Sequence, residues 1–274
     1  EDVSASPVTI NSGNYNTYFD SNGKYKGDSS DLVFSGSFSG KNFTFEKPVT
    51  ISGTGSSFSD SIFTLLSGAS GSTVSNLIIN NNKNEVYGIF LNGASNCIIK
   101  DCTITNVGKS SYPICLGNGA NYNNVTGNAL KTSGADYGHG TRSTPTLLVS
   151  GSHHNTLANN TMEVEDANAI YLSSYAGGPL TGGYSNYNLI YNNSIKYNVI
   201  PTSWSYAIRV MGNNNKIQLN TIYGAYRAIS AYDLNDIIGN MIINLIGRDF
   251  NNLNYKTGGD FAIDVGGYSK VANN

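Results

Sequence analysis

The chain has 274 residues and a mass of 29.2 kDa, with 16 Lys+Arg against 18 Asp+Glu and only 12% charged residues. It contains no run of 18 apolar residues, which excludes a membrane-spanning helix, and a net charge of −2 excludes a basic face for nucleic acid. Small polar and aromatic residues fill the gap (39 Asn, 31 Gly and 19 Tyr) while strong helix formers are scarce, so an all-β, turn-rich chain is expected rather than disorder.

Residues 1–60 read as an N-terminal cap and an irregular first coil. Phe19, Leu32, Val33, Phe34 and Phe38 are expected to cover an open apolar end, and Asn42-Phe43-Thr44-Phe45 followed by Pro48-Val49-Thr50-Ile51 reads as an opening turn of repeat structure. Residues 61–274 read as a repeat array. Its first copies are Val74-x-x-Leu77-x-Ile79 and Ile99-x-x-Cys102-x-Ile104. Five fuller copies follow: Asn123-x-Val125-x-x-Asn128-x-Leu130, then Asn155 to Met162, Asn188 to Ile195, Asn215 to Ile222 and Asn235 to Ile242. The last copy breaks off at Val271-x-x-Asn274, and the sequence is expected to be a piece of a longer array.

Each copy carries a second alternating segment: Ile89-Phe90-Leu91, Ile114-Cys115-Leu116, Leu147-Leu148-Val149, Ile170-Tyr171-Leu172, Ile208-Arg209-Val210, Ile229-Ser230-Ala231 and Ile263-Asp264-Val265. Period-two alternation punctuated by polar turns reads as strand, turn, strand. No such unit buries its apolar face alone, but units stacked at ~4.8 Å do. The expectation is a parallel β-helix solenoid of about 8–9 coils. The central Asn of each copy then faces inward at a bend, where amides of successive coils form a ladder. Cys97 and Cys102 would stand roughly 16 Å apart along an extended strand, beyond bridging distance. Three His with no CxxC or HxxxH spacing give no zinc site.

The Asn-x-Ile-x-x-Asn-x-Ile repeats, over residues 60–274, resemble right-handed β-helix proteins, a group that includes pectin-acting enzymes and surface adhesins. Asn14-Tyr15-Asn16-Thr17-Tyr18-Phe19-Asp20, Phe38-Ser39-Gly40-Lys41-Asn42 and Lys47-Pro48-Val49-Thr50-Ile51-Ser52-Gly53 resemble the entry of adhesin-like surface proteins of methanogenic archaea. The resemblance implies an exported, extracellular, cell-surface module that meets a glycan or a surface protein of another cell. It transfers no catalytic residue.

The corner after Leu130, Ile195 and Ile242 carries long connections (131–145, 196–205 and 244–260) alternating with the short turns 163–168 and 223–227. These bring Asp136, His139, Arg142, Glu163, Glu165, Asp166, Tyr197, Trp204, Tyr226, Arg227, Arg248, Asp249 and Asp260 to one side of a charge-poor chain. A glycan held there would stack on Trp204 and Tyr197 and bond to Arg227, Arg248, Asp136, Arg142, Tyr226 and Asp249. The rival reading is a polysaccharide lyase, epimerase or hydrolase, with Glu165 or Asp166 as acid or base and Arg227 or Arg248 stabilising charge. A third is a structural stalk. Tyr87, Tyr112, Tyr206 and Phe261, aligned before their strands, read as an aromatic stack along the coil. The outward column Phe90, Cys115, Leu148, Tyr171, Arg209, Ser230 and Asp264 lacks the grouped carboxylates of a catalytic face. Gly138-His139-Gly140 and His153-His154 read as loop and turn. The sequons at Asn42, Asn124, Asn159 and Asn192 permit glycosylation. No cofactor is expected; a bridging calcium ion has no ligand set to support it.

Overall fold

The computed structural model describes residues 6–133, 146–165, 167–174, 176, 178–198, 205–245 and 262–274. Its strands stack in parallel into three sheets of eleven, nine and nine strands, named here sheets A, B and C in the order each coil visits them. One full coil runs Ile98–Lys100 in A, Thr103–Asn106 in B and Tyr112–Gly117 in C, and the next repeats it at Asn124–Thr126, Ala129–Thr132 and Leu147–Ser150. This is the parallel β-helix expected from the repeat.

Alternation along each strand sends one set of side chains into the bore. Ile79, Ile104, Leu130, Met162, Ile195 and Ile222 line it from sheet B, and Val74, Ile99, Val125, Leu157, Ile190 and Ile217 from sheet A, all almost wholly buried. Stacking extends below residue 60: Asp31–Phe34, Gly36–Ser39 and Asn42–Phe45 already belong to the three sheets. A short helix, Tyr15–Tyr18, lies at this end. Tyr15 stacks on Phe19 at 4.8 Å, and Phe19 meets Phe34, Phe43 and Phe45. Phe38 and Phe58 stack one coil apart at 5.0 Å. Val33 instead faces outward, half-buried between inward Leu32 and Phe34.

Two corners are closed by asparagine. At the A–B corner the side-chain Nδ2 of Asn128, Asn160, Asn193, Asn220 and Asn240 donates to Oδ1 of the next row member at 2.9–3.0 Å, ending on Asn274. Each Oδ1 also accepts the backbone N–H one coil below, so one amide satisfies groups in two coils. Cys102 and Leu77 take the same place lower down, and the Cys102 N–H still bonds Asn128 Oδ1 at 3.0 Å. Burial pushes the Cys102 thiol up to about 12, and the three cysteines are free. A second ladder, which the repeat reading did not assign, runs down the C–A corner through Asn123, Asn155, Asn188, Asn215 and Asn235. Left-handed residues turn the chain beside both rows, among them Tyr122, His154 and Tyr187 with φ of 59°, 58° and 59°.

Asn193→Leu is expected to cost ~1–3 kcal/mol, because Asn160 loses its acceptor and Asn220 Oδ1 loses one of its two N–H donors in a buried row. Thermal or denaturant unfolding measures it, and an unchanged midpoint would detach stability from the ladder.

His153 stands in an outer row of the C–A corner. Its N–H bonds Asn121 Oδ1 at 2.7 Å, and its Nδ1 accepts the Asn186 N–H at 3.1 Å, where Asn121 and Asn186 use an amide oxygen. Acceptance at Nδ1 requires the neutral ring. Burial, with the neighbouring His154, lowers the His153 pKa below its ordinary 6.5. A lowered histidine pKa means stability fully present above the unfolded value and lost as pH falls below it. The melting temperature of the wild type is expected to drop more between about pH 7 and pH 5 than that of His153→Asn, which keeps an acceptor that does not titrate there. Parallel pH profiles of the two would remove His153 from the account.

Candidate functional site

The outward column of sheet C is registered coil to coil as Phe90, Cys115, Leu148, Tyr171, Arg209, Ser230 and Asp264. It has two halves of different character. Phe90, Cys115, Leu148 and Tyr171 are buried and form, with Leu180, an apolar cluster outside the bore. Leu180 arrives on a strap that crosses back over the sheet. Asn118 ties it down: its Oδ1 accepts the Thr181 N–H at 2.8 Å and the Thr181 hydroxyl at 3.1 Å, and its Nδ2 donates to the Pro179 carbonyl at 2.7 Å. Gly117 leaves the notch, since a Cβ there would stand 2.3 Å from Leu180 Cδ2. Tyr87 and Tyr112 stack beside the cluster at 5.3 Å, in line with the aromatic stack expected of them; Phe261 lies outside the described residues.

Beyond Tyr171 the column opens. Arg209 is half-buried, its guanidinium 5.2 Å from the Tyr171 ring centre and 4.9 Å from that of Tyr206. Arg227 continues the pattern at 5.2 Å from Tyr206 and 5.3 Å from Tyr226, and its Nη1 donates to the Tyr206 hydroxyl at 3.1 Å. The stack therefore alternates Tyr171, Arg209, Tyr206, Arg227, Tyr226. A planar, weakly hydrated guanidinium suits aromatic faces, and each such contact contributes ~0.5–2 kcal/mol as desolvation increases. The Tyr171 hydroxyl donates to Met211 Sδ at 2.8 Å, which fixes the first ring. Arg227 is the buried cation, 1% exposed, and Arg209 the accessible one. Among the described residues the ion pairs are Lys24–Glu46, Lys47–Asp28 and Lys131–Glu163, and Arg209 joins none. Ser230, half-buried, and Asp264, exposed, complete the column.

The corner residues singled out from the sequence are distributed differently from the expectation. Tyr197 is interior, 4% exposed, with its hydroxyl on the Ala167 carbonyl at 2.9 Å. Tyr226 and Arg227 are buried in the stack rather than offered to solvent. For these three the structure corrects the picture of open loop residues: Tyr197 ends its strand as an inward residue, and Arg227, in a short turn, packs between Tyr206 and Tyr226. Glu165 is half-buried, while Glu163 is exposed, 3.7 Å from Lys131. Asp136, His139, Arg142, Asp166, Trp204, Arg248, Asp249 and Asp260 lie outside the described residues. Among the described residues no three His, Cys, Asp or Glu side chains gather as a metal site, and no helix is long and apolar enough to cross a membrane.

With this geometry stands the family. The model of the right-handed beta helix region matches residues 62–252, and the chain belongs to that family. No curated protein matches the sequence significantly. Among solved structures it is similar to an alginate lyase from Paenibacillus sp. str. FPU-7, at 13% identity and a TM-score of 0.38 over 96% of this chain and 99% of that one, a likeness too distant to bear on activity.

Proposed function

We propose that this β-helix is an exported, adhesin-like surface module that binds an extended glycan along the open half of sheet C's outer face. The observation that carries the reading is the Tyr171–Arg209–Tyr206–Arg227–Tyr226 stack. Arg209 and Tyr206 are its half-buried members and present polar edges to a sugar chain, while buried Tyr171, Arg227 and Tyr226 hold them in place. Arg209 supplies a planar, doubly stacked cation suited to a carboxylate or sulfate on such a chain. The ligand preferred by this site is accordingly an acidic glycan. Trp204, outside the described residues, is proposed as a further stacking residue. The partner is a glycan of another cell's surface, and no cofactor takes part.

The rival enzyme reading draws on one observation: Asp264 stands in Arg209's own column, with Ser230 between them. A carboxylate able to take a proton and a cation able to neutralise developing negative charge, facing one substrate, suit proton abstraction from an acidic polysaccharide.

An array of acidic and neutral glycans, read together with reducing-sugar and unsaturated-product assays, tests both. Arg209→Gln is expected to weaken binding of the acidic ligand about ten- to a hundredfold, ~1–3 kcal/mol, and Arg209→Lys to recover only part of it, because the point charge stacks poorly. Equal binding by wild type and Arg209→Gln, on a ligand confirmed to be genuine, would move the site off this face. Asp264→Asn should leave a binder intact; loss of measurable turnover in that variant would establish the enzyme instead.

A further inference from the structure

We propose that the B–C corner holds a structural water molecule between Asn106 and Thr132, inside the bore. The two residues are register partners on adjacent coils, and both are 0% exposed. Neither the Nδ2 nor the Oδ1 of Asn106 has a hydrogen-bond partner in the protein, and neither has the Thr132 hydroxyl. Three polar atoms left without partners at one buried point are costly, and buried groups of this kind are satisfied by ordered water.

The coil below shows why the protein itself does not reach them. Asn81 holds the same register position as Asn106, and its amide is fully used. Its Oδ1 accepts the Ser61 N–H at 2.9 Å and its Nδ2 donates to the Ser61 carbonyl at 3.1 Å. The connection beneath Asn81 is only Asp60-Ser61, so backbone hugs the corner; the one beneath Asn106 runs over residues 82–86. The hydroxyl of Ser111 reaches back to the Lys83 carbonyl, but no backbone group meets the Asn106 amide. Further up the same column, Val164 is apolar, and Tyr197 closes the corner by reaching the Ala167 carbonyl. Asn106 and Thr132 occupy the interval that no protein group fills.

The donor set identifies the ligand. Asn106 offers one donor and one acceptor, Thr132 an atom that does either, and none carries charge; this suits a neutral molecule that both gives and takes hydrogen bonds. Two to four polar partners hold a buried water, and coils spaced ~4.8 Å apart place both side chains within reach of one. Asn168 Nδ2 and Ser205 Oγ are also buried without a partner in later connections of this corner.

A high-resolution crystal structure of the whole chain is the direct test. Density for one water within hydrogen-bonding distance of the Asn106 amide and the Thr132 hydroxyl is expected, and a dry site overturns the proposal. Thermal unfolding of Asn106→Leu and Thr132→Val is the second test. With the water in place each substitution breaks a satisfied network, and the melting temperature falls by roughly 2–4 °C. If the site is dry, each removes an unsatisfied group, and an unchanged or higher melting temperature likewise overturns the proposal.

Discussion

The amide of a buried asparagine is the interaction on which this fold depends. One such side chain carries a donor and an acceptor set at a fixed angle, and in the bore of the solenoid both must be used. In the A–B row the oxygen serves the backbone and side-chain N–H groups of the coil below, while the nitrogen serves carbonyls there and in the coil's own turn, as Asn128 does with Ile99 and Thr126. The row can do this only if every coil turns the corner identically. From Thr73–Ser75 onward the A–B corner is always a two-residue link, as at Gly127-Asn128 between Thr126 and Ala129. Among the described residues the B–C corner has no such row, and its connections run in length from Asp60-Ser61 to residues 244–262. Freedom of length and absence of the ladder go together: a corner whose inward polar groups do not need the backbone of the next coil is free to be extended outward.

The same rule explains the strap. It enters the C–A corner, which does have a ladder, yet Asn188 still donates to Asn215 Oδ1 at 3.1 Å. The insertion is placed upstream of Ser185, and the residues from Ser185 to Asn188 restore the turn before sheet A resumes at Leu189. Extra chain is accommodated because it leaves and returns on the outside of the bore. There it covers Phe90, Cys115 and Leu148, which would otherwise form an exposed apolar stripe of the kind that promotes association.

The register, the A–B ladder and the three-sheet coil were legible in the sequence because each is local and repeats. The second ladder was only half legible: Asn123, Asn155, Asn188, Asn215 and Asn235 introduce the same motif, but the motif does not tell an inward amide from a turn residue, since Asn serves exposed turns equally well. The site was harder. Tyr226 and Arg227 sit in a short turn of the corner at which the sequence gathers its charged residues and so resembled surface groups, whereas Tyr206, from the coil below, gives Arg227 a face and a hydroxyl and draws it inside. The strap's contact between Asn118 and Thr181 spans two coils, and nothing in the spacing of either residue announces it. Arg209 was visible as an outward residue; that its neighbours are rings held in place by Met211 and Arg227 is a tertiary fact.

A rigid frame of uncharged amides also shapes what the outer face can do. Because strand pairing sets the coil spacing and the ladders match it, successive positions of the sheet C column are held ~4.8 Å apart with little freedom to adjust. Under the proposed reading, an extended ligand lying along the axis meets preorganised groups and loses little free energy to ordering them. The order of those groups then matters. The apolar, strap-covered half ends at Tyr171, the cation follows at Arg209, and the exposed carboxylate of Asp264 stands two coils further on. An anionic group on the ligand is attracted at the first position and repelled at the second, where the field is screened over about 8–10 Å at physiological salt. Such a column gives the bound chain a polarity and a register, so specificity on this face arises from the sequence of charges along the axis rather than from the depth of any one pocket.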